Sequence, residues 1–206
     1  MKLAIFDLDG TITESHKTIY YSAESALKEM NIPFNIDEAS FKKFIGMPFK
    51  DIFAQKNIPV DNYDRFLKIY LEYYYQFLNE TIVYDGISYV FDILKENKIE
   101  IALLTTKIQN QAEYILKHFN IAQYFNYTMG RREGIPVKPS PVPIFNICKD
   151  LRINPEDSCM VGDTEMDVLA GKNAGSLTVA VTYGYRDKYF LMEYNPDYLI
   201  DYPMDF

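Results

Sequence analysis

Leu3-Ala4-Ile5-Phe6-Asp7-Leu8-Asp9-Gly10-Thr11 is the stretch on which the reading of this chain turns. Four apolar residues running into a polar, glycine-containing segment predict a buried strand that stops at a turn. Asp7 and Asp9 stand two residues apart, so in extended chain both carboxylates point to one side. Gly10 permits the turn that brings the following backbone around them. Taken alone, a solvated turn explains this segment equally well. A calcium loop does not: an EF-hand needs further oxygen ligands at alternate positions and a glutamate at the twelfth, and Ile12 interrupts that series.

Downstream of this strand the pattern is helical. Ile19, Ala23, Ala26, Leu27 and Met30 recur at helical spacing until Asn31-Ile32-Pro33. Further helices are predicted over residues 36–44, 50–56 and 63–78, the last with Phe66, Tyr70, Tyr73 and Phe77 on one face. From Tyr84-Asp85-Gly86 onward, strands and helices alternate. Strands are expected at 101–104, near Tyr127, at 159–161, at 177–181 and at 198–200. Helices are expected at 87–97, 109–119, from Lys138-Pro139-Ser140-Pro141 to 150, and at 165–173. This alternation predicts an α/β fold: a Rossmann-like parallel sheet with helices on both faces and an inserted all-helical domain. The expected division is a core of residues 1–13 and 84–206 and an insert of residues 14–83.

The 206 residues carry a formal net charge of −8. That balance excludes nucleic acid as a main partner, since binding a phosphate backbone requires concentrated basic surface. Cys148 and Cys159, the only two cysteines, lack metal-type spacing and read as buried reduced thiols. The apolar start is too short for a signal peptide and no stretch reaches membrane-spanning length. The expectation is a cytoplasmic protein, monomer or homodimer, without membrane partners.

Polar groups close three of the predicted strands: Asp7 and Asp9, then Thr105, then Asp163. In open parallel sheets, function gathers beyond the carboxyl ends of the strands. Gly162-Asp163-Thr164-Glu165-Met166-Asp167 places two acids four residues apart at a strand end and helix start. Helix capping accounts for these residues by themselves. Together with Asp7 and Asp9 they form a hard-oxygen set suited to magnesium, which favours a few carboxylates plus water and phosphate oxygens. Thr105 and Lys138, each unremarkable alone, add the hydroxyl donor and the cation that a phosphoryl site needs.

The ordered set Asp-x-Asp-Gly-Thr, Thr105, Lys138-Pro139-Ser140-Pro141 and Gly162-Asp163-Thr164-x-x-Asp167 resembles the four motifs of the haloacid dehalogenase-like hydrolase superfamily. Ile45-Gly46-Met47-Pro48 and Tyr84-Asp85-Gly86 are most similar to its phosphoglycolate phosphatase-like group, whose helical insert is a cap domain. The resemblance implies a magnesium-dependent phosphatase of a small phosphorylated metabolite. It makes Asp7 the nucleophile that forms an aspartyl-phosphate and Asp9 the general acid and base. It assigns Mg2+ to Asp7, the backbone carbonyl of Asp9 and Asp163, with Asp167 supporting. Thr105 and Lys138 would bind the transferring group, and Thr106, Gly46 and Lys50 would contact substrate. Thr106 departs from the group, where asparagine is frequent, and Glu14 stands where aspartate is frequent. Asp9 favours ester hydrolysis over dehalogenation, because a departing alcohol needs a proton and halide does not. A sugar-phosphate mutase of the β-phosphoglucomutase type and a non-enzymatic aspartyl phosphoacceptor are the alternatives.

Overall fold

The computed structural model describes residues 1–206. It packs as two compact units, one of residues 1–13 with 83–206 and one of residues 14–82. The first is built on six parallel strands: β1 (Leu3–Phe6), β4 (Glu100–Ile108), β5 (Tyr127–Arg131), β6 (Ser158–Gly162), β7 (Leu177–Val181) and β8 (Tyr198–Ile200). Their order in the sheet is β5-β4-β1-β6-β7-β8. Between the strands lie helices α5 (Ile87–Glu96), α6 (Gln109–His118), α7 (Val142–Leu151), α8 (Glu165–Ala174) and α9 (Lys188–Met192). β1 is buried throughout, as a central strand covered on both faces must be. Leu3 and Ile5 pack with Ile144 and Ile147 of α7 and Ala170 and Ala174 of α8. Phe6 points the other way, edge-on to Phe91 of α5 with centroids 5.2 Å apart.

The strand order reverses beside β1. The chain steps outward to β4 and β5 on one side, then returns to place β6 on the other. At such a switch point the loops leaving neighbouring strands diverge and open a crevice at the carboxyl edge. Asp7 and Asp163 both stand at this edge, and the Asp7 N–H bonds the Val161 carbonyl at 2.9 Å.

The second unit holds helices α1 (His16–Glu29), α2 (Glu38–Lys42), α3 (Phe49–Gln55) and α4 (Tyr63–Gln76). Aromatic rings fill its interior; Phe49 meets Tyr70 at 4.8 Å and Phe53 meets Phe66 at 4.9 Å. Two short strands, β2 (Thr13–Glu14) and β3 (Ile82–Val83), form a separate two-stranded sheet, and the boundary between the units falls inside both.

Several expectations are corrected. The buried face of α4 carries Phe66, Ile69, Tyr70 and Tyr74 rather than Tyr73 and Phe77. That helix ends at Gln76, and α2 covers only Glu38–Lys42. α7 begins at Val142, since Pro141 occupies its cap position, leaving Lys138 in the preceding loop. Strands β2 and β3 and helix α9 went unforeseen, each being too short to show a period.

The largest difference is in β4. It runs on through Thr105 to Ile108 instead of stopping at residue 104, and its pairing with β5 shifts on the way. Leu104 pairs Met129 and Ile108 pairs Arg131, so Thr105, Thr106 and Lys107 stand against Gly130 alone. This is a bulge with surplus residues on one strand. Thr105 Oγ1 braces it by accepting the Lys107 N–H at 3.2 Å. Gly130 is required there, because a Cβ would lie 2.6 Å from Gln109 Cα and 2.9 Å from the Lys107 carbonyl oxygen. Gly130→Ala is therefore expected to destabilise the protein by about 1–3 kcal/mol through overpacking, read as a lowered midpoint in chemical denaturation.

Candidate active site

Lys138 is the centre of the cluster. It is buried, and its ammonium donates to Asp167 Oδ1 at 2.5 Å and the Leu104 carbonyl at 3.2 Å, and it pairs with Asp7 Oδ1 at 2.8 Å. Burial by itself would lower its pKa, but the carboxylates of Asp167 and Asp7 outweigh that and hold the ammonium above its ordinary range. The lysine expected to be a phosphoryl ligand thus also organises the acids around it.

Asp167 has a double duty. Its Oδ2 accepts from the Thr164 N–H at 3.0 Å and from the Thr164 hydroxyl at 2.6 Å, closing the capping box of α8. Its Oδ1 carries Lys138. The cap of α8 and the bond to Lys138 are thus made by the two oxygens of one carboxylate. Asp163 is fully buried; Oδ1 accepts from the Thr11 hydroxyl at 3.2 Å and Oδ2 from the Tyr185 N–H at 2.9 Å. Gly10 makes this approach possible. Its φ is +83°, and a Cβ there would overlap the Asp163 carboxylate.

Carboxylate oxygens of Asp7, Asp163 and Asp167 lie within 4.8 Å of one another. Asp9 pairs instead with Lys107, Oδ2 to Nζ at 3.1 Å, both side chains nearly buried. Four buried carboxylates are therefore matched by two ammonium groups, leaving an excess of negative charge where solvent cannot screen it. The chemistry responds accordingly: desolvation, with Asp167 and Asp9 nearby, raises Asp7 to about 7 despite Lys138. Desolvation and the charges of Asp167 and Asp7 also raise Asp163 well above the carboxylate range.

A divalent cation fits this donor set. The ligand atoms are hard oxygens, the surplus is of the right sign, and the arrangement keeps oxygens of Asp7 and Asp163 for a metal while Asp167 serves Thr164 and Lys138. Thr105, buried beside this cluster, accepts the Lys107 N–H and keeps its own hydroxyl hydrogen to donate. A small cavity lined in part by Thr105, Thr106, Arg131 and Lys138 adjoins it. Gly46 and Lys50 belong to the second unit. Gly46 is in a turn with φ +97°, and Lys50 lies in the first turn of α3 with its Nζ 4.7 Å from the Tyr63 ring centroid.

Sequence reasoning missed two participants. Lys107 was visible only as a lysine after two threonines, and nothing local marks the bulge that buries it. Tyr183 donates to the Thr11 carbonyl at 3.1 Å and takes the Tyr84 hydroxyl on its own carbonyl at 3.3 Å. These bonds tie the segment after β7 to the loop that carries the first acid pair.

Comparison with known proteins places the chain among hydrolases. A family model described as haloacid dehalogenase-like hydrolase matches residues 4–181. A phosphoglycolate phosphatase of Aquifex aeolicus is 31% identical over 212 residues, covering 100% of this chain and 94% of the relative. A pyrophosphatase PpaX of Oceanobacillus iheyensis is 28% identical, covering 98% and 92%. A haloacid dehalogenase-like family hydrolase of Streptococcus pneumoniae has a solved structure that superposes with a TM-score of 0.89 at 25% identity, covering 100% of this chain and 96% of that one.

The charge imbalance has a measurable sign. Asp7 is raised from 3.8 to about 7, so between those values the folded metal-free protein binds more protons than the unfolded chain. The contribution of Asp7 to stability is fully present below about pH 4 and is lost as pH rises through about 7. In chelator at pH 8, Asp163→Asn is expected to melt above the wild type. Magnesium at about 100 times its dissociation constant should raise the wild-type melting temperature by roughly 5–10 °C. It should leave Asp163→Asn nearly unmoved in the same thermal scans.

Proposed function

Because the chain belongs to the haloacid dehalogenase-like hydrolase family, we propose that it is a magnesium-dependent phosphatase of a small-molecule phosphate monoester, acting through an aspartyl-phosphate on Asp7. The observation that carries this reading is the buried Asp7 carboxylate, held by Lys138 at 2.8 Å and grouped with Asp163 and Asp167. The relatives named phosphoglycolate phosphatase and pyrophosphatase support it.

Lys138 fixes Asp7 Oδ1, which leaves Oδ2 to attack phosphorus. The bond from phosphorus to the departing oxygen breaks as the bond to Asp7 forms, and Asp9, carrying the proton taken from water in the preceding turnover, delivers it to that oxygen. In the second half, Asp9 takes a proton from water as the water attacks the phosphoryl group on Asp7. Phosphate departs and the Asp7 carboxylate is restored. Thr105 donates its hydroxyl to an equatorial oxygen. All three Lys138 donors are engaged in the resting site, so its contact with the phosphoryl group exchanges one of them. Asp7, the Asp9 carbonyl and Asp163 would hold Mg2+, which when bound would supply Lewis-acid polarisation of a phosphoryl oxygen and offset the carboxylate charge. Thr106, with Gly46 and Lys50 of the helical unit, is assigned to substrate selection; residues 14–83 are read as the cap.

Asp7→Asn is expected to reduce phosphate release to background while retaining the wild-type circular dichroism spectrum; appreciable turnover by this variant would refute the assignment. Lys138→Ala should lower kcat about 10²–10³-fold, in line with loss of one preorganised charge-stabilising contact, in steady-state assays with magnesium.

A further inference from the structure

Lys107 has no place in the phosphoryl-transfer steps above, yet the fold goes to some length to bury it beside the acid. Three residues of β4 stand against the single Gly130 of β5, and the Thr105 side chain braces the resulting turn. The Gly130 N–H is taken by Gln109 Oε1 at 2.8 Å, which locks β5 to the start of α6 at the same point. The product of this construction is an ammonium 3.1 Å from Asp9 Oδ2, with 8% of its side chain exposed.

We propose that Lys107 is a specificity-determining residue that selects phosphate compounds whose leaving group carries its own negative charge close to the departing oxygen, as a carboxylate or a second phosphate does. The proposal rests on the phosphatase reading and on Asp9 touching the departing oxygen. An ammonium on one oxygen of Asp9 lies within about 8 Å of a departing oxygen that either Asp9 oxygen touches, two hydrogen-bond lengths plus the width of the carboxylate. An anionic group attached there, directly or through one carbon, falls within reach of Lys107. A neutral alcohol of the same size offers it nothing. A buried ammonium rewards the match strongly, because hydrogen bonds between charged groups are about twice as strong as neutral ones. The same cation holds Asp9 in position in the resting site, so one side chain both orders the acid and reads the group beside its target.

The test compares 2-phosphoglycolate with 2-hydroxyethyl phosphate, which has a similar length and a neutral leaving group. In wild-type enzyme with magnesium, kcat/KM is expected to favour the first by about 10- to 100-fold. Lys107→Met should collapse that ratio toward one, and Lys107→Arg should keep most of it. Equal kcat/KM for the two substrates in the wild type overturns the proposal. So does a Lys107→Met variant that loses the same factor on both, which would make Lys107 a support for Asp9 alone. If Lys107→Met fails to fold, Lys107→Gln takes its place under the same criteria. Hydrolysis of p-nitrophenyl phosphate separates this result from the broader reading. A wild type inert toward all three compounds contradicts the phosphatase assignment, whereas an active wild type with no preference contradicts only the role of Lys107.

Discussion

The ammonium of Lys138 joins four segments that are far apart in the chain: Asp7 after β1, the Leu104 carbonyl in β4, its own loop before α7, and Asp167 in α8. Buried as it is, this lysine could not remain charged without the two carboxylates, and the carboxylates could not sit so close without it. The triad is therefore a mutual requirement, and much of the surrounding structure serves it. The capping box orients Asp167, and the position of β1 between β4 and β6 sets Asp7 at the junction.

Even so, the lysines do not balance the acids. Asp163 in particular takes its hydrogen bonds from neutral donors, the Thr11 hydroxyl and the Tyr185 N–H, with the Arg186 charge offsetting only part of the burial, and has no ammonium of its own. Folding such a group into the interior is unfavourable, and a hydrophobic substitute would pack more comfortably. A site that holds unmatched negative charge in low dielectric is poised for a cation, and the stability it forgoes when metal-free is returned on binding. Function and stability pull in opposite directions at this position, as they commonly do where a protein keeps a reactive group.

Much of this was legible in advance. The four apolar residues before Asp7, the run ahead of Gly162-Asp163 and the alternation after Tyr84 carry a parallel α/β sheet on local pattern alone. Asp7, Asp9, Thr105, Lys138, Asp163 and Asp167 were named from motif order. Other features were hidden for identifiable reasons. β4 was cut short because Thr105-Thr106-Lys107 looks polar, although threonine suits extended chain. Tyr74 was passed over for Tyr73 because adjacent tyrosines give no hint of which one faces inward. Asp167 was weighed as a cap or a site residue, when one carboxylate has two oxygens and can be both.

Element type, strand placement and the inventory of reactive groups were determined by the amino-acid sequence itself, because burial period, capping and turn chemistry act over a few neighbouring residues. Only the tertiary structure decided who meets whom. Lys138 answers to Asp7 and Asp167, Lys107 to Asp9, and Asp163 takes its hydrogen bonds from neutral donors. Those pairings depend on strand order and on a two-residue slip between β4 and β5. Such long-range register is set by the packing of the whole sheet, and no single segment carries its signature.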